Sequence, residues 1–175
     1  MLVFVRISTF IFLLWAGIAI ADSNHHSSIH IDQEKLGKVN FPVSCTAAAQ
    51  AQFNQALAML HSFWYDESEK AFQRVVAIDP DCAMGYWGIA MSLYQQLWAT
   101  TPTPDEVKRA RHALAQARTL TIKTDREKAY LDAIALLYPA VDDNRDYATR
   151  KLAYEQAMKQ IAERFPDDNE ATLFY

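Results

Sequence analysis

From residue 46 onward, apolar residues recur every three or four positions, and capping or breaking residues divide them into runs. That is the period of helices packed on one face. Thr46 is placed to cap a first helix reaching about Ser62. Asp66 and Glu69 have the spacing of a capping box and predict the start of a second helix. It stops before Asp79-Pro80, because proline lacks an N–H and cannot continue a helix. Asp81 is placed to cap a third, running through Met84, Trp87 and Met91 to about Trp98, where Thr100-Thr101-Pro102 breaks it. Thr103-Pro104-Asp105-Glu106 opens a fourth with a cap, a first-position proline and a third-position acid. Val107, Ala110, Leu114 and Ala117 share one of its faces. Thr124 and Glu127 predict a fifth helix, to about Tyr138, and residues 139–146 a loop. A sixth helix runs from about Tyr147 to Phe165-Pro166, and Asp167 or Asp168 caps one more.

The fold class expected from this pattern is all-α. Composition supports it: the 175 residues are 51% hydrophobic, with only 4 Gly and 6 Pro, too few for the turns of a β-sandwich. The formal charge of −4 and the absence of a basic stripe argue against nucleic acid as a partner.

The first 45 residues read differently. In residues 1–21, Arg6 precedes an uncharged, mostly apolar run that ends in Ala19-Ile20-Ala21, the small-x-small pattern of a cleaved export signal. An uncleaved anchor is the alternative, but the run is shorter than the roughly 18–20 residues that span a bilayer. The expectation is cleavage after Ala21, a periplasmic or secreted location, and no stable membrane insertion afterwards. Residues 22–45 form a polar, His- and Ser-rich tail and lead-in segment, and 46–175 a helical domain. Cys45 and Cys82 would then meet an oxidising compartment. They are either a disulfide, worth about 4 kcal/mol on a chain-entropy argument, or two buried thiols.

Internal repetition is present. Phe53, Ala56 and Met59 recur 34 positions later as Trp87, Ala90 and Leu93. The spacing of Ser68, Phe72 and Val75 recurs in Ala110, Leu114 and Ala117 and again in Tyr154, Met158 and Ile161. With Pro80 and Pro166 closing units, residues 47–175 resemble the tetratricopeptide-repeat (TPR) family, most clearly from Phe63 through Asp81. Phe41-Pro42-Val43-Ser44-Cys45, Asp79-Pro80-Asp81-Cys82-Ala83-Met84 and Trp87-Gly88-Ile89-Ala90-Met91 are similar to exported bacterial TPR proteins without an assigned activity. The second unit departs from the pattern, with 20 positions rather than 12 between Ala90 and Ala110.

The resemblance implies a right-handed α-solenoid of antiparallel helix pairs, with Ala56 against Ser68. It places Cys45 and Cys82 at like ends of neighbouring helices, roughly 10 Å apart before the lead-in segment closes the gap. It also implies a concave face lined by first helices. The lining positions are Gln50, Phe53, Asn54 and Leu57, then Met84, Trp87, Met91 and Tyr94, then Glu127, Tyr130 and Ile134. Such an aromatic and Met-rich face suits a protein or peptide partner. The alternative is that these residues pack against residues 31–43 or later repeats.

Catalytic chemistry is not indicated. No H-E-x-x-H, G-x-S-x-G or Gly-rich phosphate loop occurs, and no cofactor is implied. His25, His26 and His30 could hold a divalent metal, His61 could pair with Asp66 or Glu67, and His112 reads as surface. The expectation is therefore a non-enzymatic interaction scaffold. Its alternatives are a non-catalytic part of a larger enzyme or assembly, or a periplasmic metal-handling protein. The last complete helix leaves Leu152, Met158, Ile161 and Phe165 as an apolar stripe, so the expectation is either a fragment of a longer solenoid or self-association at that end.

Overall fold

In a computed structural model, residues 36–98, 100–138 and 143–175 are described, all within the unit Asp32–Tyr175. The expected export signal, the tail histidines and residues 139–142 of the expected loop lie outside them. The described secondary structure is helical: α1 (Ala47–His61), α2 (Tyr65–Ile78), α3 (Ala83–Ser92), a 3-10 turn (Gln96–Trp98), α4 (Pro104–Thr119), α5 (Asp125–Ala135), α6 (Tyr147–Arg164) and α7 (Asn169–Leu173).

Local chemistry sets most of these boundaries. Thr46, Thr103, Thr124 and Asp146 cap α1, α4, α5 and α6, each accepting a hydrogen bond from a first-turn N–H. Thr103 and Glu106 complete a reciprocal capping box. Three expectations are corrected. The cap of α2 is Trp64, not Asp66, because the chain leaves α1 through a Schellman turn: Trp64 N–H donates to Met59 O and Phe63 N–H to Leu60 O. That turn holds Phe63 at φ 59°, a position usually given to glycine. Cys82 rather than Asp81 precedes α3. The helix also ends at Ser92 instead of Trp98, since Gln95 turns to φ 46° and the following residues form the 3-10 turn.

Successive helices pack pairwise, α1 on α2, α2 on α3, α3 on α4 and α5 on α6, with α3 also against α5. The closest approaches are made by small residues. Ser68 Oγ donates to Ala56 O at 3.0 Å, and Ser92 Oγ lies 3.0 Å from Ser68 Oγ. Gly88 brings α3 so near α2 that a Cβ there would stand 2.2 Å from the Phe72 ring. Buried Glu69 of α2 pairs with Arg109 of α4. Cys45 and Cys82 form a disulfide that fastens the lead-in segment to the start of α3.

Candidate functional site

The face shared by α1, α3 and α5 is filled from within the chain. Phe41 stacks on Phe53 of α1 with ring centroids 5.6 Å apart and on Trp87 of α3 at 6.0 Å. It meets Tyr130 of α5 edge-on at 5.2 Å. From the other side Phe174, just past α7, meets Trp87 edge-on at 5.5 Å and stacks on His61 at 5.3 Å. Ring-on-ring geometry of this kind adds to the area each aromatic buries.

The expected lining positions are therefore core here. Phe53, Leu57, Met84, Trp87, Met91, Tyr130 and Ile134 are each 1% exposed or less. Of the two expectations for this face, the filled one is observed: Phe41, within residues 31–43, and Phe174 occupy the space. Asn54 and Tyr94 stay half-exposed. Asn54 Oδ1 accepts from Gln50 Nε2 at 2.9 Å, and Tyr94 packs edge-on against Tyr154.

Phe41 enters as part of an extended segment whose main chain is gripped by side chains. Gln50 acts as a clasp: its Nε2 donates to Phe41 O at 2.9 Å, and its Oε1 accepts from Val43 N–H at 2.7 Å. Arg126 Nη1 donates to Pro42 O at 2.9 Å. Glu127 Oε1 accepts from Ser44 N–H at 2.5 Å, and Lys123 Nζ donates to Ser44 O at 3.0 Å. Asp79 Oδ2 accepts from Thr46 N–H at 2.7 Å. Glu127 is buried, and its bond to Ser44 explains why its carboxylate does not turn back to complete a capping box with Thr124.

Arg126 joins these parts. Its guanidinium lies 4.0 Å from the Phe41 ring centroid, a cation–π contact, while its Nε donates to Asp168 Oδ2 at 2.5 Å. Tyr130 Oη donates to the same oxygen at 3.0 Å. Burial, with the neighbouring Asp168 carboxylate, pushes the Tyr130 phenol well above its ordinary pKa, so it stays a neutral donor. Glu170 at the start of α7 is 2.7 Å from His61 Nε2. His61 therefore pairs with Glu170, not with Asp66 or Glu67.

The polar groups of this face bond to backbone atoms or to each other. Among the described residues no group of three His, Cys, Asp or Glu is placed to hold a metal ion, and no helix is long and apolar enough to cross a membrane. Beside α7 an apolar hollow of about 670 Å³ is rimmed by exposed Phe63, Leu97 and Leu173. Sequence reasoning placed Gln50 and Glu127 on this face and gave residues 31–43 as its alternative occupant, but it did not single out Phe41 and missed Arg126, Asp168 and Phe174 as parts of the site. An aromatic-proline pair at the end of a polar stretch was the available signal for Phe41. No protein-family model, curated protein or solved structure matches this chain.

Proposed function

We propose that the protein is an exported, TPR-like helical-repeat scaffold that binds another polypeptide and is not an enzyme. The observation that carries this reading is the grip on residues 41–46. Side chains from α1, α5 and the turn before α5 hold the main chain of an extended segment across a helical face. Holding extended backbone through main-chain hydrogen bonds, with a pocket for a side chain, is how peptide-binding surfaces work. The Ser68–Ala56 contact and the 34-residue recurrence support the repeat reading, with α1–α2, α3–α4 and α5–α6 as pairs of a right-handed solenoid. The disulfide fits an oxidising compartment, and residues 1–21 supply the export signal, cleaved after Ala21.

Site-specific photo-cross-linking in the native host tests this reading. Asn54 and Tyr94 are half-exposed at the expected binding face. Photoreactive residues there should yield a discrete cross-linked polypeptide, while one at exposed Arg118 on α4 should not. Equal yields at all three positions, or none, would contradict it.

A further inference from the structure

We propose that residues 40–44 are a resident competitor in a peptide groove, which accepts from a partner an extended segment carrying an aromatic residue followed by proline. This rests on the scaffold reading above and names its ligand class. Three observations lead to it. The grip uses the carbonyls of residues 41, 42 and 44 and the N–H groups of 43 and 44, atoms that any extended segment of suitable sequence offers. The segment's one buried side chain before Cys45 is Phe41, enclosed by Phe53, Trp87, Tyr130 and Arg126, while Asn40 and Pro42 face solvent. An aromatic side chain is thus the selective element.

The third observation concerns proline. The grip asks for an N–H at 43 and 44 but takes only a carbonyl from 42. Proline at that position leaves no donor unpaired, and its fixed φ pre-forms an extended backbone, lowering the entropy lost on binding. Residue 46 leads directly into α1, and Cys45 is tied to Cys82. The resident segment therefore competes at an effective concentration on the order of mM or higher. A partner must outbid it or meet the protein when the segment is released.

The test uses residues 22–175 and a labelled peptide of residues 36–46 carrying Cys45→Ser, followed by fluorescence anisotropy. Phe41→Ala empties the aromatic pocket, and Val43→Pro removes the N–H that Gln50 accepts. Both leave the groove's own residues unchanged. In variants with native circular dichroism, the peptide should bind at least about tenfold more tightly than to wild type. The Phe41→Ala peptide should lose that gain. Folded variants that bind no better than wild type overturn the proposal.

Wild-type protein gives a readout that needs no variant. Peptide at about 1 mM should speed amide exchange at Val43 and Ser44 at least about tenfold, because ligand capture of the open form raises its population. Unchanged exchange would overturn the proposal. If peptide exchange fails while cross-linking at Asn54 and Tyr94 succeeds, the groove is closed core and the scaffold reading survives. If cross-linking fails while the peptide binds, the scaffold reading falls and the groove remains.

Discussion

Removing Arg126 should loosen the lead-in segment and α7 together. Its guanidinium touches the Phe41 ring, the Asp168 carboxylate and the Pro42 carbonyl. The Asp168 side chain is 6% exposed and Arg126 20%. Breaking a fully buried ion pair costs about 3–5 kcal/mol, because the surviving charge is left unpaired. The partial exposure of Arg126 reduces that, and Tyr130 Oη still donates to Asp168. The cation–π contact adds about 0.5–2 kcal/mol. The exposed bond to Pro42 adds about 1 kcal/mol or less. These terms overlap, so we expect Arg126→Ala to cost about 2–4 kcal/mol in total. Asp168→Ala should cost about 2–3 kcal/mol, and the double variant should cost less than the sum by at least about 1 kcal/mol. Urea denaturation followed by circular dichroism measures all four proteins, with the slope checked for constancy. Additivity within about 0.5 kcal/mol would refute the claim that the pair joins the two elements.

Gly88→Ala should destabilise by about 1–3 kcal/mol, despite the better helix propensity of alanine, because the new Cβ meets the buried Phe72 ring. Gly37→Ala has open space around it and should leave the urea midpoint near wild type. Replacing Cys45 and Cys82 with serine should remove about 4 kcal/mol, the cost of reopening a closure between residues 37 apart. Denatured, unreduced protein should show no reactive thiol; two would contradict the bond. The Tyr130, Tyr138, Tyr147 and Tyr154 phenols are all raised above their ordinary pKa, with burial as the largest cause. Their contribution is complete below about pH 10 and is lost as pH rises toward the folded values, by up to about 1.4 kcal/mol per pH unit for each group. Urea midpoints measured from pH 8 to 11 should fall above pH 10, and a flat profile would count against that burial.

What was legible in the sequence was local. Thr46, Thr103 and Thr124 cap helices through bonds to residues three positions on, and Pro80 and Pro166 stop them, so boundaries at these points needed no tertiary knowledge. The start of α2 was missed because the Schellman turn at Phe63 depends on a left-handed residue that sequence normally signals with glycine. The end of α3 was misplaced because Leu97 and Trp98 continue the apolar pattern, although both side chains are exposed on the 3-10 turn. The lining positions followed from helical period, which places Gln50 with Phe53 and Glu127 with Tyr130. The period alone did not choose between a partner and residues 31–43 as their occupant. Ser44 meets Glu127 across 83 residues, and Phe174 meets Trp87 across about two thirds of the domain. Contacts at such separations leave no periodic trace, so filled and open versions of the face have the same local sequence.

The central claim is that this face holds the chain's own Phe41. Nuclear Overhauser contacts from the Phe41 ring test it most directly. Phe41 lies 6.0 Å from Trp87 and 5.2 Å from Tyr130 between ring centroids. The account predicts contacts from Phe41 ring protons to the Trp87 indole and the Tyr130 ring, with Phe41 shifts displaced by the surrounding aromatics. Random-coil shifts at Phe41, with no contact to either ring, would contradict it.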